Sequence, residues 1–241
     1  MIEGLSISVV IPTKNEVHGL KATLQKIPTT VDQILVIDAN SQDGTQEIAQ
    51  AHPHCKLIVE PRKGYGRAYK TAFENITTDL VATADADGTY ATEKLPEIVK
   101  FLKENSLDFI NCSRFPLVEP GAMFYKNFMG NAGITLMFNL IFGSTLTDSL
   151  TGMWVFRSKI IPTLILESDG WNFSEEIKYE AIRTGHKFQE YHTAYRERVG
   201  ESKMSPWKTG LDNLLYLFQL YFKRGHLKKQ YELLRDRRSS K

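Results

Sequence analysis

The chain is short of cysteine, and this shortage excludes two kinds of scaffold. Its 241 residues contain two cysteines, Cys55 and Cys112, which lie far apart in the sequence. A disulfide-stabilised scaffold needs several cysteines, and a structural zinc site needs closely spaced ligand pairs. We therefore expect two buried thiols, with neither a disulfide framework nor a zinc site.

Long hydrophobic runs are also absent. No apolar run reaches the roughly 18 residues that a bilayer-spanning helix needs. Residues Met1 to Ser8 lead directly into a strand-like stretch and lack the charged and apolar parts of a signal segment. We expect a cytoplasmic protein, either free or at the cytoplasmic membrane surface. The basic residues have no interleaved aromatic residues for base stacking, so we expect no nucleic-acid partner.

Charge is present but unevenly distributed. The formal net charge is +2, yet residues 223–241 alone carry eight basic and two acidic side chains, a local charge of +6. Just before this basic tail, Leu211–Phe222 has apolar residues at helical spacing. The combination is typical either of a core helix with a solvated end or of a helix lying in an anionic membrane surface. We therefore predict a main domain at 1–204 and an amphipathic, basic helical appendage at 205–241.

Short β-type runs alternate with helical patterns along most of the chain. The predicted strands are Ser6–Ile11, Gln33–Asp38, Lys56–Glu60, Leu80–Asp85, Asp108–Ser113, Met153–Arg157 and Lys187–Tyr195. The predicted helices begin near Glu16 and Asp43 and continue at Arg67–Asn75, Glu93–Asn105, Met123–Phe142 and Ser174–Thr184. Such alternation predicts an α/β fold, a mixed and mostly parallel sheet with helices on both faces. Ligands of these folds bind at the carboxyl ends of the strands.

The segment Asp85-Ala86-Asp87 places two carboxylates at the end of a predicted strand. Residues i and i+2 of an extended segment point to the same side, so both carboxylates can converge on one cation. Oxygen ligands of this kind suit Mg²⁺ or Mn²⁺. An isolated Asp-x-Asp-Gly run is more often a solvated turn. Polar segments at two other strand ends, Pro12–Glu16 and Asp38–Ser41, favour a metal site.

Further polar blocks follow these strand ends in a characteristic order. They are Arg62-Lys63-Gly64-Tyr65-Gly66-Arg67-Ala68, Cys112-Ser113-Arg114-Phe115, Asp148-Ser149-Leu150-Thr151-Gly152-Met153-Trp154 and Gly200-Glu201-Ser202-Lys203. With the three strand-end segments, this set resembles glycosyltransferase family 2, which has the GT-A fold, and is most similar to the dolichyl-phosphate mannose and glucose synthases. The resemblance implies a nucleotide-diphospho-sugar donor, a divalent metal and a polyprenyl-phosphate acceptor.

The resemblance also implies a role for particular residues. The metal would be held by Asp85 and Asp87, which we also count as catalytic together with Asp148. The predicted donor-binding residues are Pro12, Thr13, Glu16, Asp38, Arg62, Lys63, Gly64 and Ala86. The predicted acceptor-binding cations are Arg114, Lys126, Arg198 and Lys203. Asp148 and either Glu175 or Glu176 are candidates for a general base or for orienting these cations, and Trp171 is a candidate cover for the acceptor or sugar.

Three functions compete on this evidence. The leading hypothesis is a metal-dependent, inverting transfer of a hexose to a polyprenyl phosphate, whose anionic oxygen needs no general base. The alternative keeps the donor but uses a soluble sugar or another alcohol, in which case Asp148 or a neighbouring carboxylate must remove a proton. The non-enzyme alternative is a nucleotide-sugar-binding module, and the intact pair of Asp85 and Asp87 argues against it.

Overall fold

The strands found among the described residues form one seven-stranded sheet. The computed structural model describes residues 1–119, 121–200 and 208–223. The strands are β1 (Ile7–Thr13), β2 (Gln33–Asp38), β3 (Cys55–Val59), β4 (Leu80–Thr83), β5 (Phe109–Ser113), β6 (Trp154–Arg157) and β7 (Phe188–His192). Their spatial order is β3-β2-β1-β4-β6-β5-β7. All neighbours pair in parallel except β6, which is antiparallel to both β4 and β5.

Helices connect the strands. They are α1 (Val17–Lys26), α2 (Thr45–Ala51), α3 (Tyr65–Phe73), α4 (Leu95–Glu104), α5 (Tyr125–Phe142), α6 (Phe173–Arg183) and a further helix, α7, at 208–223. Short 3₁₀ helices lie at Thr92–Lys94 and Ser158–Thr163. The α/β prediction, a mixed and mostly parallel sheet covered by helices, is confirmed. Among the described residues no helix is both long and apolar enough to cross a bilayer.

The sheet is buried on both faces because its central strands are apolar at consecutive positions. In β1, Val9 and Ile11 pack into the cluster under α1 and α4, whereas Val10 between them packs into the cluster under α3 and α6. Continuous apolar strands of this kind are typical of parallel sheets covered twice. Because β1 pairs in parallel with both β2 and β4, the carboxyl ends of these three strands face the same side.

A smaller cluster joins α5 to α7. Phe138 of α5, Leu146 and Leu217 of α7 form its buried centre. Two polar contacts add to it, since the Tyr216 hydroxyl donates to Glu176 at 2.6 Å and Lys223 pairs with Glu167 at 2.7 Å. The helix predicted within 205–241 is therefore present over 208–223. The proposed domain boundary after residue 204 falls outside the described residues and stays a prediction.

Two details differ from the sequence-based expectations. Strand β4 ends at Thr83 rather than at Asp85, because the chain turns at Ala86 and Asp87. Of the two cysteines, Cys112 is buried but Cys55 on the edge strand β3 is only half-buried. Burial raises the pKa of the Cys55 thiol to about 12. Both thiols are free, as the cysteine spacing predicts.

Candidate active site

The site begins at the carboxyl end of β2, where Asp38 is fully buried. Its carboxylate accepts hydrogen bonds from the Thr13 hydroxyl at 2.9 Å, from the Ser41 amide and hydroxyl at 2.8 and 2.5 Å, and from the Gln46 amide at 2.7 Å. Four donors occupy all the acceptor positions of a carboxylate. Asp38 therefore ties the ends of β1 and β2 together. A direct bond from Asp38 to a nucleotide base requires one of these donors to leave, and that contact stays a prediction.

The two aspartates after β4 lie close together but in unequal surroundings. Asp85 is half-buried and accepts a hydrogen bond from the Tyr65 hydroxyl at 3.2 Å. Asp87 is 3 % exposed, and its Oδ1 accepts bonds from the amide and hydroxyl of Thr89 at 3.1 and 2.7 Å. Burial is the main cause that raises the pKa of Asp85 to about 7, and the charge of Asp87 is the second. The charge of Asp87 thus opposes the ionisation of Asp85, and a cation bound beside the pair would relieve this repulsion.

The expected reason for this convergence was wrong, although the pair is close. Asp85 and Asp87 do not alternate on a strand, because residues 85–88 form a turn beyond the end of β4. In the described part of the chain no group of three or more His, Cys, Asp or Glu side chains could hold a metal. The hard oxygen atoms of two aspartates suit Mg²⁺ or Mn²⁺, which commonly keep water and substrate phosphate as further ligands. The residues present therefore fit such an ion.

Arg198 connects the aspartates to the loop after β1. One guanidinium nitrogen donates to Oδ2 of Asp87 at 2.9 Å, and the other donates to Oε1 of Glu16 at 2.8 Å. The side chain of Arg198 is 32 % exposed. The structure thus places Arg198, predicted to bind the acceptor, against two residues predicted to serve the metal and the donor. Its role toward an acceptor stays a prediction.

A second charged pair lies at the end of β5. The Arg114 guanidinium forms two bonds to Asp148, from Nε at 2.7 Å and from Nη2 at 2.8 Å, and the Arg114 amide adds a third at 3.1 Å. Asp148 is fully buried and Arg114 is 8 % exposed. Burial raises the pKa of Asp148, but the Arg114 guanidinium outweighs burial and holds that pKa below its usual value. An ionised carboxylate held in this way is a weak base and a good orienting group.

The two glutamates of α6 differ sharply. Glu176 accepts bonds from the amides of Glu167 and Ser168 at 2.9 to 3.1 Å and from the Tyr216 hydroxyl, so it supports the loop before α6. Glu175 is fully buried, and neither of its carboxylate oxygens has a hydrogen-bond partner among the described residues. Burial raises the pKa of Glu175 well above its usual range. Neither geometry is that of an exposed general base.

The remaining predicted donor residues lie around the start of α3. Arg62 is exposed and donates to Glu60 at 2.6 and 2.7 Å, and Lys63 is also exposed. Gly64 has a φ of 136°, and a Cβ added to it would lie 2.1 Å from the carbonyl oxygen of Asp169. The loop before α6 thus requires glycine at this position. From the sequence we expected Gly64 to allow a close approach of the backbone to a nucleotide instead. Pro12 is half-buried and Ala86 buried beside this end of the sheet.

Trp171, the candidate cover for the acceptor or sugar, lies beside Tyr65, and its predicted role stays a prediction. Its ring stacks on Tyr65 with 4.7 Å between ring centroids, and the Tyr65 hydroxyl contacts Asp85. Trp171 also lines a cavity of about 320 Å³ between the loop before α6 and α7, together with Asp212 and Asn213. Lys126 is exposed in the first turn of α5. Lys203 lies outside the described residues, and its predicted role is not tested.

Sequence reasoning missed Lys178 on α6. This lysine is fully buried and donates to the carbonyl oxygens of Ser149 and Thr151, both at 2.7 Å. It thereby supports the loop that carries Asp148 and Gly152. Lysine is rarely buried, so no sequence pattern marks this position beyond its place on a helix. Tyr65 was noticed only as part of a glycine-containing block, since its contact with Asp85 depends on the tertiary fold.

Three kinds of comparison bear on the identity of this site. The sequence profile described as "Glycosyl transferase family 2" matches residues 8–163. The low-salt glycan biosynthesis hexosyltransferase Agl6 of Haloferax volcanii is 30% identical over 220 residues, which are 88% of this chain and 53% of that protein. The chain thus spans about half of the length of Agl6.

Two further relatives match this chain along most of their own length. A dolichyl-phosphate hexose transferase of the same organism is 28% identical, covering 85% of this chain and 89% of that protein. The undecaprenyl-phosphate mannosyltransferase of Micrococcus luteus is 29% identical, covering 83% and 88%.

Solved structures agree on the fold. Mannosyl-3-phosphoglycerate synthase from Rubrobacter xylanophilus has a TM-score of 0.70 at 20% identity, covering 95% of this chain and 76% of that one. Glucosyl-3-phosphoglycerate synthase from Mycobacterium tuberculosis, in complex with Mn²⁺, UDP and glucosyl-3-phosphoglycerate, has a TM-score of 0.65 at 18% identity, covering 89% and 80%. At this identity the likeness establishes the GT-A type of fold. Since the family profile covers well over half of the chain, the protein belongs to glycosyltransferase family 2.

Proposed function

We propose that this glycosyltransferase moves a hexose from a nucleotide-diphospho-sugar to a polyprenyl phosphate, with inversion and with Mg²⁺ or Mn²⁺ at Asp85 and Asp87. The observation that carries the proposal is the pair of close aspartates at the open end of β4, one of which has a raised pKa. A UDP complex with Mn²⁺ is known for a protein of the same fold. Relatives that match along most of their length are named for transfer to dolichyl or undecaprenyl phosphate.

The donor side of the site has a simple chemical task. A divalent ion held by Asp85 and Asp87 would neutralise the charge that develops on the departing diphosphate. The loop after β1 and the buried Asp38 frame the neighbouring space for the nucleoside. Arg198 forms ion pairs with both Asp87 and Glu16, so the negative charges of these carboxylates are compensated before a metal binds.

The acceptor side favours binding over proton removal. A phosphate monoester is already an anion near neutral pH and can attack without a general base. Asp148 is held ionised by Arg114 and is poorly suited to removing a proton. We assign the acceptor phosphate to the exposed Lys126 and the one-third exposed Arg198. The charge of Arg114, which was also predicted to bind the acceptor, is already cancelled by Asp148. Direct displacement by that phosphate inverts the configuration at the sugar carbon.

An apolar surface on α5 and α7 favours a lipid acceptor. We call it the apolar helix surface; its exposed members are Phe124, Tyr125, Leu136, Leu140, Leu211, Leu215, Phe218 and Phe222. The basic residues of the C-terminal tail follow it directly in the sequence. Aromatic and aliphatic side chains beside basic residues are typical of helices that lie in an anionic membrane surface. We propose that this surface contacts the membrane peripherally.

One assay tests the donor and acceptor together. Purified protein is incubated with UDP-, GDP- or dTDP-hexoses and Mn²⁺, with and without undecaprenyl phosphate in detergent, and both nucleoside diphosphate and lipid-linked sugar are measured. We expect product only with lipid phosphate and metal, and loss of product in Asp87→Ala. The matched control is Glu97→Gln, which changes an exposed carboxylate on α4. Full turnover by Asp87→Ala without metal would refute the proposal.

A soluble acceptor is the second candidate, because the solved structures of this fold are named for phosphoglycerate products. The same assay with 3-phosphoglycerate in place of the lipid separates the two. Turnover with the soluble compound and none with lipid phosphate would favour this candidate. A pH profile limited by an acidic group would then indicate a base.

A further inference from the structure

Helix α1 lies directly against the turn that carries the two aspartates. A Cβ added to Gly19 would lie 2.2 Å from the carbonyl oxygen of Ala86 and 2.9 Å from the Cα of Asp87. Both distances are far below van der Waals contact. The backbone of residues 85–88 therefore rests on the helix at a position where only glycine fits.

Two polar side chains extend this contact along the same face of α1. The Thr23 hydroxyl donates to the carbonyl oxygen of Asp85 at 3.2 Å and accepts from the amide of Gly88 at 3.0 Å. It thus connects the first and last residues of the turn. The Lys26 ammonium group donates to the carbonyl oxygen of Gly88 at 2.7 Å. Residues 19, 23 and 26 are spaced by four and three, so they lie on one face of a helix.

The turn needs such support for two reasons. It lies beyond the end of β4 and so beyond the hydrogen bonds of the sheet. It also brings together two carboxylates that repel each other when both are ionised. On its other side, the Val199 amide donates to the Asp87 carbonyl oxygen at 2.9 Å. The turn is therefore held from both sides, by helix α1 on one side and by the segment around Val199 on the other.

We propose that Gly19, Thr23 and Lys26 are positioning residues that fix the backbone of residues 85–88 and so set the affinity of Asp85 and Asp87 for a divalent metal. This inference rests on the proposed function for its metal. None of the three residues has to touch the ion. They act by holding the two carboxylates in place before the ion arrives, which removes an ordering cost from binding.

Thr23 offers the sharpest test because two replacements each change one group of its side chain. Thr23→Val keeps the shape and removes both hydrogen bonds, whereas Thr23→Ser keeps the hydroxyl. Hydrogen exchange of the peptide spanning residues 84–90 is measured without metal, together with the Mn²⁺ concentration for half-maximal release of nucleoside diphosphate. For Thr23→Val we expect faster exchange and a rise of about tenfold in that concentration, the usual size for a contact behind a metal ligand. Thr23→Ser should match the wild type in both.

Gly19 provides an independent test with a control from another helix. Gly19→Ala should raise the Mn²⁺ requirement by a similar factor, because the added methyl group displaces the Ala86 carbonyl. Gly133→Ala is the control, since a Cβ at this exposed position on α5 meets nothing within 4 Å. Its folding and Mn²⁺ requirement should be unchanged. If Gly19→Ala does not fold, the Thr23 pair decides alone.

The outcomes separate this inference from the proposed function. Thr23→Val with wild-type exchange, or with faster exchange but an unchanged Mn²⁺ requirement, would overturn the positioning role. Wild-type protein that releases no nucleoside diphosphate with Mn²⁺ would instead refute the proposed function. In that case the Mn²⁺ dissociation constants of the wild type and Thr23→Val, measured by electron paramagnetic resonance, replace the turnover measurement. Equal constants would overturn the inference, and a weaker constant for Thr23→Val would support it.

Discussion

Two acidic sites at the same end of the sheet use opposite electrostatic arrangements. Asp148 is fully buried, and its charge is cancelled inside the protein by two short bonds from Arg114, which is itself buried. Asp85 and Asp87 bring two negative charges together, and the cation beside them, Arg198, is one-third exposed. The first site is electrically complete, while the second leaves room for a cation to enter or leave.

The difference separates a structural charge from one available for binding. A buried pair with both partners in place costs little to keep, but the loss of one partner leaves a charge in a medium that cannot solvate it. A pair of like charges behaves differently, since burial and the neighbouring charge hold the pKa of Asp85 at about 7. A divalent cation relieves that repulsion.

The largest effect is expected on stability, from Asp148→Asn. This change keeps the shape of the side chain but leaves the buried Arg114 without its counter-charge. We expect the free energy of unfolding to fall by about 3–5 kcal/mol, as for other buried pairs that lose one partner. Urea denaturation followed by circular dichroism measures the change.

A double variant serves as the control for this prediction. Arg114→Met combined with Asp148→Leu removes both charges and should recover most of the lost stability, because apolar pairs often replace buried ion pairs at little cost. Full stability in the single Asp148→Asn variant would contradict the structural role of this pair.

Asp87→Asn should affect turnover more than stability. The amide keeps its bonds with Thr89 in part but is a poor ligand for a divalent ion. We expect turnover to fall by about 10²- to 10³-fold, the size seen when one electrostatic contact to a transition state is removed. Release of nucleoside diphosphate at saturating Mn²⁺ measures it. A loss of stability as large as that of Asp148→Asn would mean that the two sites do not differ as described.

The contrast also explains what the sequence could and could not predict. The strands are local patterns, so β2 is predicted at its observed bounds, Gln33–Asp38. The metal-binding role of Asp85 and Asp87 also rests on a local motif, and it stays a prediction. The pairing of Arg114 with Asp148 joins residues 34 positions apart, and no local pattern contains it. The same holds for Arg198 and Glu16, which are 182 positions apart. The order of the strands brings the partners of such ion pairs together. The sequence alone therefore identifies each residue as a candidate site residue but does not show which residues pair.

Glu60 is an intermediate case, a buried carboxylate with an exposed cation. Its hydrogen bonds with Arg62 lower the pKa of Glu60 most strongly, and a bond from Thr71 lowers it further. Burial acts in the opposite sense but is outweighed, and the pKa of Glu60 is about 2. A pKa below that of the unfolded chain stabilises the fold above about pH 4.5, and this contribution is lost as the pH falls toward 2.

Glu60→Gln tests this contribution. The variant should lose about 1–3 kcal/mol at pH 7, the worth of a hydrogen bond to a charged group, and the difference from wild type should shrink on acidification. Unfolding in urea at pH 7, 4 and 2.5 measures it. A difference that is constant across this range would show that the ionised form of Glu60 adds nothing to stability.

Arg198→Met should have the smallest effect on stability and the most informative effect on binding. The Arg198 side chain is one-third exposed, so water already screens its pairs with Asp87 and Glu16. We expect a change of less than about 1 kcal/mol in the free energy of unfolding. In the absence of donor, Mn²⁺ should bind the variant more tightly, because the ion no longer competes with a guanidinium for Asp87. Titration calorimetry with Mn²⁺ alone measures this, with Arg183→Met on α6 as a control remote from the aspartates. A loss of stability near that of Asp148→Asn, or weaker Mn²⁺ binding, would place Arg198 with Arg114 as a permanent structural partner and remove the distinction between the two sites.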